Sequence, residues 1–204
     1  MIGRKLGENN IKEANDIFKT SLLLMLGVSL LLLVIAVGFT KQIAVFMGAN
    51  EQLMPLVTTY IKYEGLFLPF LGIMFVLDYV LKLMGKPVYA MLALVVAVIS
   101  HMMFNYLFIV RLGLGVKGAA LAAGLGYSIA FVMAILPFIM GRTTLKLFQG
   151  SFKKEVACNI IYNGSSEGLG EIGTGITTFL FNITLMRYVG EVGVAAFTAI
   201  SYWK

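Results

Sequence analysis

The chain has 204 residues, of which 59% are hydrophobic and only 13% charged, with a mean hydropathy of +0.91. Soluble globular chains run nearer half apolar and a quarter charged, so the composition excludes an ordinary water-soluble domain. The net charge of +6 forms no nucleic-acid stripe, because the basic residues sit in short gaps between apolar runs, where they set membrane topology. A single cysteine, Cys158, excludes an internal disulfide and any multi-cysteine metal site. Neither a metal nor a nucleic-acid partner is expected.

Charge is absent from residues 20–40, 88–110 and 118–141. A helix rises ~1.5 Å per residue, so roughly 20 residues cross the hydrocarbon core, and each of these runs is long enough. "MIGRKLGENNIKEANDIFKTS" is charged and amphipathic, an approach along the membrane surface that leads into a first span at about 14–39. "TKQIAVFMGANEQLMP" is a connector with an apolar patch suited to the interface. The second span, about 52–83, is punctuated by Lys62, Glu64 and Asp78. Lys62 can snorkel to the headgroups, Asp78 can pair with Lys82 one turn on, and Pro69 predicts a kink.

After the "GKP" turn, Pro87 opens a third span at about 87–110. "RLGLGVK" leads to a fourth at about 116–139, and a basic connector at 141–158 leads to a fifth at about 159–188. A sixth apolar stretch starts near 193 and is too short to cross. The fold class is therefore an all-α polytopic membrane protein, a helical bundle with five complete transmembrane helices and the start of a sixth, read as part of a longer chain. Alternation of sides tests this scheme. One side carries Arg4, Lys5, Lys12, Lys19, Lys82, Lys86, Arg142, Lys146, Lys153 and Lys154; the other has Lys41, Lys62, Arg111, Lys117 and Arg187. The richer side is expected to be cytoplasmic.

"NGSSEGLGEIGTGITTFLFNITLM" poses the chemical question of the chain. Its uncharged part, Ile172 to Met186, covers only about 22 Å of a roughly 30 Å core. The helix must extend backward, carrying Glu171, and one turn further back Glu167, into or near the bilayer. One face then reads Asn163, Glu167, Glu171, Gly175, Thr178 and Asn182, with Gly164 and Gly168 on an adjoining line open to close helix approach. Such a polar seam belongs against protein or a water-filled cavity. Its carboxylates are natural H+ or Na+ sites, since burial raises their pKa and a bound cation lowers it. Glu167 can instead cap a helix end at the interface, and either glutamate can pair permanently with a base.

In the third span His101 and Asn105 share a face, either as hydrogen-bonded structural groups or as contacts on a transport path. Glu64 is either an interface anchor or a group facing that path. Gly118, Ala122 and Gly126 recur every four residues in the fourth span, a helix-packing seam. The glycine-rich "GLGEIG" and "LGLGVKG" do not follow strands and are not phosphate loops. No ATP-hydrolysis motif, serine elbow or paired-histidine motif occurs, so no enzymatic step is expected and active transport would draw on an ion gradient.

Five stretches in order resemble one family: "RKLGENNIKEANDIFKTSLLL", "VFMGANEQLMPLVTTYIKY", "LKLMGKP", "NYLFIVRLGLGVKGAALAAGLGYS" and the run from Asn163 to Tyr202. The chain resembles the multidrug and toxic compound extrusion (MATE) transporters, closest to their MepA-like branch. That resemblance implies twelve helices in two lobes alternating between inward- and outward-open states. The five spans would be helices three to seven, and the last stretch the start of helix eight. Residues 1–140 would be the remainder of the N-terminal lobe, 141–158 a cytoplasmic connector, and 159–204 the start of the C-terminal lobe.

The implied function is secondary antiport at the cell membrane, exporting small organic, often cationic, drugs against H+ or Na+, without a cofactor. Its partners would be membrane lipids and the remaining helices of the full-length transporter. Glu171 and Glu167 would be the ion-coupling groups, the former about one turn earlier than the acidic site of the sodium-coupled branch. His101, Asn105, Asn182, Thr178 and Glu64 would be secondary polar contacts. Where many members carry "N…LD" in the third span, this chain has His101 and Asn105, which removes an acidic group. A flippase of lipid-linked cargo, and a fragment inactive by itself, are the alternatives.

Overall fold

A computed structural model describes residues 1–190, 193, 196–198 and 200. In chain order it has α1 (Ile2–Gly7), α2 (Ile11–Gly38), α3 (Thr40–Phe46), α4 (Met54–Gly65), α5 (Leu68–Leu83), α6 (Pro87–Asn105), a π turn (Tyr106–Arg111), α7 (Gly115–Ile139) and α8 (Lys154–Tyr188). No strand occurs among the described residues. The chain divides into two compact units, Met1–Ala157 and Cys158–Lys204. The sixth apolar stretch, expected from about 193, lies largely outside the described residues.

The first span starts a few residues earlier than its hydropathy suggests, and the cause is local. The Asn10 side chain accepts from the Glu13 backbone N–H at 3.2 Å, and its amide donates to the Glu13 carboxylate at 2.8 Å. This reciprocal cap closes the first turn of α2 ahead of the apolar run. The second span is a jointed pair rather than one kinked helix: α4 and α5 meet at a 49° bend. Pro69 stands in the first turn of α5, where its missing N–H would have had no intrahelical partner anyway. The bend therefore falls at Leu66–Phe67, just before the proline.

Helix α7 lies centrally in the first unit, packed against α4, α5 and α6. Its small residues explain how. Gly118, Ala122, Gly126, Ala130 and Ala134 are all buried. A Cβ added to Gly126 would stand 3.0 Å from the Cβ of His101, and one added to Gly124 would sit 2.0 Å from the Phe67 ring. Pro137 interrupts α7 without leaving its freed carbonyl bare: the Tyr89 hydroxyl of α6 donates to the Met133 carbonyl at 2.7 Å. That carbonyl is the one a residue-137 N–H would have bonded, and in lipid it needs a partner from elsewhere.

The densest packing gathers toward one end, where Phe18 stacks on Phe138 with ring centroids 5.4 Å apart. Leu77, Val80 and Leu81 of α5 join it, as does Leu145 of the connector, fully buried. Outward faces of α2 and α6 remain apolar and exposed, including Leu31, Val34, Val88 and Val98, as a lipid-facing surface requires. Helix α2, α6 with its π turn, and α7 are each long and apolar enough to cross a membrane; the bent α4–α5 pair qualifies together as a fourth. Helix α8, expected as the fifth, has 35 residues, ample to cross. Its polar seam keeps it outside that strongly apolar group.

Candidate functional site

On α8 the glutamate pair falls where the spacing requires, one turn apart on one face. Asn163, Glu167, Glu171, Thr178 and Asn182 all belong to this single helix. Glu167 and Glu171 are exposed within their unit and make no ion pair among the described residues. The Thr178 hydroxyl donates to the Thr174 carbonyl at 2.9 Å, so its proton is taken up by the helix itself. Asn182 differs: its side-chain Oδ1 is buried and has no donor among the described residues. An unsatisfied buried acceptor carries a desolvation penalty of about 1–3 kcal/mol. Gly164 and Gly168 have open space where a side chain would stand.

In the first unit, His101 and Asn105 lie half-buried on α6. His101 is wedged at the α6–α7 contact through its approach to Gly126, and Asn105 closes α6 where the π turn begins. Glu64 is half-buried at the penultimate position of α4, immediately before the bend. Tyr127 of α7 is within electrostatic reach of it. The structure thus places Glu64 and His101 beside the same helix, α7, on different faces: His101 at the Gly126 line and Glu64 toward Tyr127. Gly118 approaches the π turn: a Cβ there would meet the Phe108 side chain at 3.0 Å and its carbonyl carbon at 3.1 Å.

A second polar constellation was not anticipated from the sequence. The connector after α7 is strapped to the first turns of α2. Asp16, only 5% exposed at its side chain, accepts from the Ser151 backbone N–H at 2.8 Å and hydroxyl at 3.2 Å, and pairs with Lys153 at 2.6 Å. Asn15 accepts from the Lys146 N–H at 2.9 Å, and Thr20 from the Lys153 N–H at 3.2 Å. Lys86 donates to the Arg142 carbonyl. Gly150, at φ +91°, allows the fit, since a Cβ there would lie 2.5 Å from the Asn15 carbonyl oxygen. The Asp16 carboxylate holds the Lys153 ammonium above its ordinary value. The signal in the sequence was "NDIFKT": adjacent polar residues in an otherwise apolar helix need partners. Nearby, Lys5 bridges Glu8 and Glu13 at 2.9 and 3.0 Å, which pushes the Glu8 carboxyl below its usual range.

Comparison with known proteins agrees with this architecture. The MatE family pattern matches residues 1–107. The multidrug export protein MepA of Staphylococcus haemolyticus is 28% identical over 198 residues, covering 96% of this chain and 44% of the relative. An outward-facing multidrug resistance MATE family transporter superposes with a TM-score of 0.82 at 26% identity, covering 97% of this chain and 44% of that one. A MOP superfamily transporter from Pyrococcus furiosus superposes at 0.86 and 24% identity, covering 98% and 45%, a likeness of fold alone. The chain thus spans less than half the length of the relatives it matches. Its apolar helices, its packing and these similarities agree: this is a multi-pass membrane protein that belongs to the MatE family, akin to its MepA-like members.

Proposed function

We propose that this chain is part of a secondary antiporter that exports organic, often cationic, solutes while H+ or Na+ moves inward. The observation that carries the reading is the α8 seam: Glu167 and Glu171 one turn apart, followed by Thr178 and the donor-less Asn182, on a helix long enough to cross. A carboxylate in a low-dielectric pathway takes up a cation or proton when open to one side and releases it on the other. Similarity to MepA, described as a multidrug export protein, supports drugs as cargo. Glu171 is the principal ion-responsive group and Glu167 its neighbour toward the helix start. Glu64, His101 and Asn105 contribute polar contacts beside α7, and the sequence carries no nucleotide-hydrolysis motif to power transport otherwise.

The test is Glu171→Gln in the full-length transporter that carries this segment, followed by efflux of a fluorescent organic cation with and without ionophores. Loss of gradient-dependent efflux at normal expression is expected. Export that keeps its full gradient dependence refutes the assignment, and transport of a labelled lipid in place of the cation would favour a flippase.

A further inference from the structure

At the end of α2 away from the strap, a groove of about 630 Å³ opens between three elements. Val37 and Gly38 of α2, Thr40, Lys41 and Gln42 of α3, and Thr58, Lys62 and Tyr63 of α4 are among its walls. Its size falls in the roughly 300–1,000 Å³ range of ligand clefts. The threonine hydroxyls are not the donors here: Thr40 donates to Ala36, and Thr58 to Met54. Among the described residues, the donors left free are the Lys41 and Lys62 ammonium groups and the Gln42 amide. Among the described residues neither lysine makes an ion pair. A third cation stands close by, Lys117, whose Nζ lies 4.9 Å over the Tyr63 ring.

Negative charge near the groove is sparse. α3 and α7 carry no acidic residue, and α2 has none after Asp16. The acids nearest in sequence are Glu51, on the preceding connector, and Glu64, and neither lines the groove. Beside the cations lies an apolar patch: Phe39, Val45, Phe46 and Met47 are 54%, 64%, 76% and 62% exposed. A short helix with lysine and glutamine toward a cleft and large apolar side chains bare belongs at a membrane interface. The groove asks for an anion, and the patch asks for hydrocarbon.

We propose that this groove is a binding site for an anionic phospholipid. The headgroup phosphate is held between Lys41 and Lys62, with Gln42 donating, and the acyl chains run along Phe39, Val45 and Phe46. A free phosphate would answer the lysines and leave the apolar patch bare; a lipid answers both. The site lies in the leaflet away from the basic connector, and it is independent of the α8 glutamates.

The experiment uses the full-length transporter in phosphatidylcholine nanodiscs doped with phosphatidylglycerol. Retained lipid is counted by native mass spectrometry, and a photoactivatable phosphatidylglycerol maps the site. Selective retention is expected, with labelling within residues 39–63. Lys41→Gln with Lys62→Gln should weaken the preference roughly thirtyfold, about fivefold per lysine. Lys41→Arg with Lys62→Arg should keep it, and so should Lys12→Gln with Lys154→Gln at the other end. Unchanged retention in the double glutamine variant overturns the proposal. So does labelling elsewhere, or complete displacement by free inorganic phosphate, which would mark a plain anion site.

Discussion

Replacing Asp16 by alanine should release the connector from α2. The Ser151 N–H loses a carboxylate acceptor at 2.8 Å, and a hydrogen bond to a charged group contributes about 1.5–3 kcal/mol. The Lys153 pair adds little, because that ammonium is 48% exposed and solvent-screened pairs contribute about 0–1 kcal/mol. Together the loss is about 1.5–4 kcal/mol, and even the lower figure raises the population of a detached connector by more than about tenfold. Asp16→Asn keeps one acceptor for Ser151, loses the ion pair, and should fall between. Limited trypsinolysis reads this directly, because Arg142, Lys146, Lys153 and Lys154 all lie in or beside the strap. Faster cleavage there, ranked alanine, asparagine, wild type, is the expected result. Equal cleavage of wild type and Asp16→Ala at equal folded fraction would refute the role given to this carboxylate.

Tyr89→Phe should cost about 1–2 kcal/mol by stranding the Met133 carbonyl, and Pro137→Ala in the same molecule should recover most of it by restoring a backbone donor; thermal unfolding in detergent checks both. Gly124→Ala should destabilise by about 1–3 kcal/mol, because the new methyl must displace the Phe67 ring, and Phe67→Leu should relieve part of the loss in the same assay. The raised pKa of Lys153 fixes the sign of an alkaline effect. Its contribution is whole below the ordinary value of 10.5 and is lost as pH climbs above that through the folded value. A spin label at Phe148, which is 89% exposed, should therefore keep constant mobility from neutral pH upward and loosen only in strong alkali.

The long spans were legible because water and lipid impose a coarse rule: uncharged runs at 20–40, 88–110 and 118–141 have one economical home. The α7 seam was legible for the same kind of reason, since a repeat of small residues every four positions describes one helix face. The jointed second span was only half legible. Pro69 announces a disturbance, but whether a helix bends at a proline or restarts there depends on Phe67 seating against Gly124, a contact 57 positions away in the chain. The strap was illegible for a stronger reason. Asp16 and Ser151 are 135 residues apart, and nothing local to either names the other. For the α8 seam, residue spacing supplied the alignment of Glu167 with Glu171, whereas the orphaned oxygen of Asn182 required coordinates.

The π turn at Tyr106–Arg111 carries an arithmetic consequence. Its wide loop, closed by the Leu112 N–H on the Leu107 carbonyl at 3.0 Å, accommodates one residue more than an α turn does. Deleting a single residue there would let the coil tighten to ordinary winding while hardly shortening the rod. Everything beyond the deletion would keep nearly its present facing, because the wide turn already takes up its extra residue in about the rotation and rise of an α turn. Arg111, then four residues from Tyr106 instead of five, would keep its seat above that ring, now 5.7 Å away. One surplus residue is thus taken up as local girth, and the end of that rod keeps its facing.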